Sequence, residues 1–293
     1  MNPTDVPSWD AHNHVQSIEP LATREQWMTE AAAAGVRSML VNGTCESDWD
    51  AVAELARTNP GVIPSFGYHP WRVSLRSANW IDRLRSLLAE FPSAGVGEIG
   101  IDGWILEQDP ASLARWGGRL GAVVPASMEV QDAVFLEQLA LAAELNRPAS
   151  IHCIQAWGHL LELLQKARLP SRGFLLHSYG GSRELVKPFA DLGARFGFSG
   201  ALGHLRKQRQ LAVFRSIPLD RLLIESDAPY QLPPTEWMGP FADSIAAEAA
   251  QNHPGTLAII QHQAAQFLGQ DLCAFSAQME RNYINLFGTG VHT

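Results

Sequence analysis

A chain of 293 residues, 46% hydrophobic and 18% charged, is long enough to bury a large core and too apolar to be disordered. Its net charge of −8 and its lack of a lysine-rich tract argue against a protein that grips long duplex DNA by its phosphates. Cys45, Cys153 and Cys273 are scattered without CxxC spacing, which excludes a zinc ribbon or disulfide scaffold and fits a reducing compartment. With no basic-then-apolar leader and no membrane-length apolar run, the expectation is a cytoplasmic protein that makes no membrane contact.

The first predicted strand, VPSWDAH (6–12), runs into the stretch WDAHNH. His12 and His14 are two apart, so on an extended chain both imidazoles point to one side, next to the carboxylate of Asp10. Such a pair suits metal chelation. VRSMLVN (36–42) and GVIPSFG (61–67) follow, the latter running into GYHP with His69. The spacing of Trp80, Ile81, Leu84, Leu87, Leu88 and Phe91 predicts a helix over 77–91, capped by Ser77. AGVGEIG (94–100) carries Glu98, and a long loop rich in apolar residues and tryptophan is predicted over 103–129.

A helix over 134–145 leads to PASIHC (148–153), with His152, and a helix over 159–167 leads to GFLLHS (173–178), with His177. The helix over 182–193 is expected to kink at Pro188 and stop at Gly193. Strand ARFGFSG (194–200) is followed by HLRKQRQ (204–210), which reads either as a solvated helix start or as a phosphate-facing patch of His204, Arg206 and Lys207. RLLIESD (221–227) ends in Glu225 and Asp227, with a Pro-rich loop beyond Tyr230.

Eight strands separated by helices over this length predict one α/β domain spanning 1–293, a (β/α)8 TIM barrel with an extended loop after strand four. In such a barrel the C-terminal strand ends share one face, so the histidines and carboxylates above meet at a single mouth. Four imidazoles and two carboxylates can satisfy two divalent cations, with a carboxylate between them; a single cation is the alternative. Mg²⁺, Mn²⁺ and Zn²⁺ all suit this donor set. Two such ions polarise a substrate oxygen and hold a hydroxide at neutral pH.

Taken in order, DAHNH, GYHP, GEIGID, IHC, LLHSYGGS, GFSG, IPLDRLLIESDAPY and ERNYINLFG resemble the TatD family of metal-dependent hydrolases, among the amidohydrolase-like barrels. The resemblance runs through nearly the whole chain. It implies that His12, His14, Glu98 and Asp227 surround one metal, and that Glu98 reaches a second with His152 and His177. It implies that Asp227 orients or deprotonates the attacking water, and that His69 faces the substrate phosphate or leaving group. Asp10 and Glu225 are candidates to orient the ligating imidazoles, and NHP (252–254) and Asn282 match structural positions.

The implied activity is a phosphodiesterase or deoxyribonuclease acting on single-stranded or frayed DNA ends, or on a small phosphate ester. Three departures stand beside it. Ile154 replaces the arginine common after the strand-five histidine, which removes a guanidinium suited to phosphate. HSYGG replaces the usual HCFSG, and the 103–129 loop is longer than usual. Ile154 favours the alternative, a small-molecule ester, lactone or amide hydrolase, while His204, Arg206 and Lys207 favour phosphate. A catalytically silent binding barrel predicts decay of the ligand set, yet every candidate ligand is present.

Overall fold

The computed structural model describes residues 2–109, 111–113, 123–245 and 251–289. Eight parallel strands lie in chain order: β1 (Ser8–Asn13), β2 (Val36–Asn42), β3 (Val62–Phe66), β4 (Gly95–Asp102), β5 (Ala149–Ile154), β6 (Phe174–Leu176), β7 (Ala194–Ser199) and β8 (Leu222–Glu225). The crossovers carry α1 (Leu21–Ala33), α2 (Glu46–Thr58), α3 (Trp80–Glu90), α4 (Met128–Glu144), α5 (Trp157–Lys166), α6 (Arg183–Asp191) and α7 (Gln208–Val213). After β8 come α8 (Leu257–Phe267) and α9 (Leu272–Phe287). This is the expected (β/α)8 barrel.

A parallel sheet needs both faces covered, and the strands are accordingly rich in Val, Ile, Leu and Phe. Val62, Val96, Phe174 and Phe196 face outward into a continuous core with Trp49, Leu84, Phe135, Leu160 and Phe189 of the helices. Inside, Ala11, Leu40, Ile63, Leu175 and Leu223 form a smaller apolar floor with Tyr283, Leu286 and Phe287 of α9. Tyr283 Oη lies 3.1 Å from Ser38 Oγ near the start of β2, so α9 closes the N-terminal end. Asn282 holds it there, donating to the carbonyls of Leu219 (2.6 Å) and Leu222 (2.7 Å).

The barrel seam joins β1 to the end of β8. Asp227 N–H donates to His12 O at 2.9 Å and His14 N–H to Ala228 O at 2.7 Å. Below these, the Asp10 carboxylate accepts the backbone N–H and the hydroxyl of Ser226. Asn252 donates to Ser226 O from the far side at 2.7 Å, and His253 is fixed between Gly255 N–H and Glu30, so the NHP segment is structural.

Some element boundaries differ from the sequence expectation. α3 starts at Trp80 with Asn79 at its cap, because the Ser77 hydroxyl is taken by Glu46. α4 starts at Met128, a turn and a half early; its polar first turns hide buried Gln131, which grips Asp102 N–H and Ala126 O. β4 runs on to Asp102 with a register shift between Val96 and Ile99, placing Glu98 within the strand instead of at its end. Pro188 lies inside α6, and Gly193 adopts φ +96°, the left-handed turn that lets the chain leave the helix.

Of the 103–129 loop, residues 110 and 114–122 lie outside the described residues; Trp104–Glu107 form a 3-10 turn, and Val124 N–H returns to Trp71 O at 3.1 Å. Among the described residues no helix is long and apolar enough to cross a membrane.

Burial pushes the Asp10 carboxyl up from 3.8 to about 7, against the bonds from Ser226 and His12. The folded state thus keeps a proton that the unfolded chain releases, and the stability this contributes is lost as pH rises between those two values. Asp10→Asn cannot ionise, so it should gain on wild type by about 3 kcal/mol between about pH 5 and pH 8. Denaturant titrations at the two pH values check this; a constant difference would place the proton elsewhere.

Candidate metal centre

At the C-terminal mouth, His12, His14, His69, Glu98, His152, His177 and Asp227 are all buried and meet in one cluster. Glu98 is its hub. Its Oε2 lies 3.1 Å from His14 Nε2 and 3.5 Å from His12 Nε2. Its Oε1 lies 3.0 Å from His152 Nδ1 and 3.5 Å from His69 Nε2. Asp227 approaches from β8, with Oδ1 3.5 Å from His14 Nε2 and Oδ2 3.7 Å from His177 Nε2. Its backbone sits at φ +54°, a left-handed conformation that Asp tolerates better than most residues. Gln155, Ser178 and Gln231, on the same rim, share that conformation.

The hydrogen-bond network assigns the tautomers. His14 Nδ1 lies 2.7 Å from the Asn42 carbonyl, which can only accept, so Nδ1 carries a proton; Nε2 is the nitrogen turned to Glu98 and Asp227, and against burial the Glu98 bond holds this ring above its usual range. His12 Nε2 faces His14 Nε2 at 3.1 Å, while its Nδ1 is held by Ser150 Oγ at 2.8 Å. His69 is the reverse case: its Nδ1 accepts the Trp71 backbone N–H at 3.2 Å, leaving the proton on Nε2. His69 is therefore a donor toward the cluster, with no free lone pair for a metal.

Burial is the largest single influence on each of these groups, though at several the neighbours together outweigh it. It holds the His12 imidazole well below its usual range, and pushes His69 down to about 4. Against the same burial, bonds to Asp102 and Glu98 raise His152 to about 9, and the Glu225 and Asp227 charges raise His177 to about 10. Burial lifts Asp227 to about 6, whereas the surrounding imidazoles, led by His69 and His12, overcome it at Glu98 and hold that carboxyl well below its usual range.

This donor set fits a divalent cation. Imidazole lone pairs and two carboxylates converge where water is excluded, and the buried Asp227 Oδ1 has no hydrogen-bond partner. Three groups have ligand atoms within 4.8 Å of one another: His12 with His14 and Glu98; His69 with Glu98 and His152; and His12 with His177 and Asp227. The cluster gathers every ligand the resemblance implies. It seats His177 beside His12, rings stacked at 3.7 Å, with Asp227 as its carboxylate neighbour.

Around the cluster, the Asp10 carboxylate accepts from the backbone N–H of His12 and from Ser226, and so fastens the seam. Ser150 Oγ and the Asn42 carbonyl orient His12 and His14 instead. Glu225 does lie against His177, with Oε1 3.1 Å from Nδ1, and is fixed by Ser178 N–H and Oγ. Gly197 makes room for it, since a Cβ there would come within 2.2 Å of Glu225 Oε2. His204 is turned to the Leu232 carbonyl at 2.9 Å, and Arg206 is exposed on the turn after β7; neither joins a metal-ligating group.

Sequence reasoning missed Asp102. Its Oδ2 accepts from His152 Nε2 at 2.9 Å and from Trp71 Nε1 at 2.7 Å. The signal was present in GEIGID, where Asp102 stands four residues beyond Glu98 and so on the same strand face. Cys153 is buried and its thiol is pushed up by that burial, which makes it an inert neighbour of His152.

A ring of histidines and carboxylates at the C-terminal mouth of a (β/α)8 barrel defines a metal-dependent hydrolase barrel. Within that class, the family profile described as TatD related DNase matches residues 9–288, and the chain belongs to the TatD family. The chain is 31% identical over 265 residues to the 3'-5' ssDNA/RNA exonuclease TatD of Cronobacter sakazakii, covering 90% of this chain and 91% of the relative. The exonuclease of the same name from Pantoea ananatis is 30% identical over 284 residues, covering 96% and 99%. Among solved structures, the TatD homolog YJJV from Escherichia coli K12 superposes with a TM-score of 0.79 at 23% identity, covering 96% of this chain and 98% of that one. A TatD family hydrolase from Entamoeba histolytica gives 0.74 at 17% identity, covering 97% and 99%.

Removing the hydroxyl that orients His12, with Ser150→Ala, is expected to weaken divalent-metal binding about 10- to 100-fold in chelator competition. Unchanged affinity would mean that the Oγ contact does not hold the ring.

Proposed function

We propose that this protein is a metal-dependent phosphodiesterase that removes nucleotides from the ends of single-stranded DNA or RNA by hydrolysis, with residues at its mouth that would hold two divalent cations. The whole chain, 1–293, is read as one catalytic domain, and its buried Cys45 and Cys153 suit the reducing cytoplasm. The observation that carries the proposal is Glu98, whose Oε2 faces His12 and His14 while its Oε1 faces His152, with His69 beside it as a donor. His12, His14, Glu98 and Asp227 would hold one ion; Glu98, His152 and His177 are the residues for the other. Bound Mg²⁺, Mn²⁺ or Zn²⁺ supplies Lewis acidity and lowers the pKa of water.

The chain's own groups do the rest. Asp227, whose buried Oδ1 has no hydrogen-bond partner, accepts the proton of the attacking water. His69, neutral with its proton on Nε2, donates to the substrate phosphate or to the departing oxygen. Asp102 keeps the His152 ring oriented through Nε2, leaving Nδ1 toward Glu98. The relatives named as ssDNA/RNA exonucleases support the substrate class. Arg206, exposed, and Lys207, half-buried, lie beyond β7 as cations for the strand backbone. One observation favours a small-molecule ester, lactone or amide: Ile154, 37% exposed at the end of β5, offers no charge to a phosphate.

Metal-loaded protein should shorten an end-labelled single-stranded oligonucleotide, and Glu98→Gln should reduce the rate by more than about 100-fold, beyond the usual effect of an outer contact. No shortening by wild type of proven metal content would transfer the proposal to the small-molecule class. His69→Ala should lower kcat by about 10²- to 10⁴-fold with metal content retained. Metal loss in that variant would make His69 a ligand and overturn the tautomer argument.

A further inference from the structure

We propose that the indoles of Trp71 and Trp104 form a shelf on which the terminal base of a single strand stacks, anchored to the metal centre through Asp102. The inference rests on the nuclease reading above and names the part of the substrate that this side of the mouth takes.

Trp71 follows His69 by two residues, on the 3-10 turn Pro70–Leu75 that leaves β3. Its ring lies 5.1 Å from that of His69 and 6.2 Å from that of His152, so it borders the cluster directly. Trp104, on the turn after β4, stands beside it at 5.8 Å with the planes 38° apart. Both indoles are only half-buried, whereas Trp49 in the barrel core is fully buried. The polar edge of Trp71 is already committed, because Nε1–H donates to Asp102 Oδ2 at 2.7 Å. What Trp71 offers a ligand is therefore a flat, uncharged face.

The shelf is held rigidly. The Asp102 oxygen that accepts from Trp71 also accepts from His152 Nε2 at 2.9 Å, and its other oxygen accepts Ile105 N–H at 3.0 Å. Gln131 fixes the Asp102 backbone N–H at 2.7 Å. Asp102 thus acts as a positioning residue, setting the indole and a metal-facing imidazole from one atom. Exposed Ile154, paired with Asp102 across β4 and β5, adds an apolar side chain to this side of the mouth. An aromatic, uncharged surface beside a phosphate-cleaving centre is chemistry for a base, since every base has a π-face. Stacking of this kind ignores sequence and sugar, and a terminal base already stacked in a duplex must first leave its neighbour.

The test compares 5'-labelled single-stranded oligonucleotides whose 3'-terminal nucleotide is ordinary or abasic. Wild type is expected to show a KM about 10- to 100-fold higher for the abasic end, at similar kcat. In Trp71→Leu that ratio should fall to near one, and Trp71→Phe should restore most of it. Independently of turnover, the ordinary end should quench the tryptophan fluorescence of the Glu98→Gln protein more than the abasic end does. Equal KM values in wild type, or a ratio that survives in Trp71→Leu, would overturn the shelf while leaving the nuclease reading intact. If neither end is cleaved, the nuclease reading fails, and equal quenching by the two ends would then overturn the shelf as well.

Discussion

Lone pairs and negative charge are concentrated where water cannot reach, and most of the architecture at the mouth answers to that constraint. Burying a carboxylate among imidazole nitrogens is costly unless positive charge is supplied, by protons or by a cation. Asp102 with Glu98 draws His152 toward protonation and Glu225 with Asp227 does the same for His177, which is why burial decides the state of His12 and His69 but not of these two. A bound cation would stand in for those protons, and the barrel already fixes the far nitrogen of the rings that would hold it. Asn42 O, Ser150 Oγ and Asp102 each hold one imidazole, and each comes from a different strand.

The barrel is suited to this work because its two ends have different chemistry. The floor, from Ala11 to Phe287, is apolar and closed by α9. Above it, Ser65 and Ser150 form a thin polar tier with Gly97, where a Cβ would fall 2.8 Å from Ser150 Cβ. The metal-facing rings stand on that tier. Stability and function are thereby separated along the barrel axis, and the left-handed residues Gln155, Ser178, Asp227 and Gln231 lie toward the functional end, where such strain is commonly stored.

Much of this could be read in the chain. Apolar runs ending in ionisable residues marked the strands, and the alternation of His12 and His14 pointed to a shared face. The legible part was side-chain parity and order. Contacts that depend on the backbone of another element were hidden: nothing in Asn42 announces that its carbonyl sets a histidine tautomer, and nothing in GYHPW announces that Trp71 N–H blocks His69 Nδ1. Asp10 illustrates the same gap. Its nearness in sequence to two histidines suggested that it orients them, but the strand turns its carboxylate across the seam to Ser226. The extent of β4 was missed because its register shift at Glu98 breaks the simple alternation.

That seam joins the first strand to the last, through Asp10 with Ser226 and through His12 with Asp227. During synthesis the two histidines of WDAHNH leave the ribosome early, while the carboxylate that completes their surroundings arrives more than two hundred residues later. The N-terminal strand can only wait, unpaired on one edge, until β8 has been made. The cluster of histidines and carboxylates is consequently assembled only at the closing moment of folding, and an incomplete chain presents no finished site at its mouth.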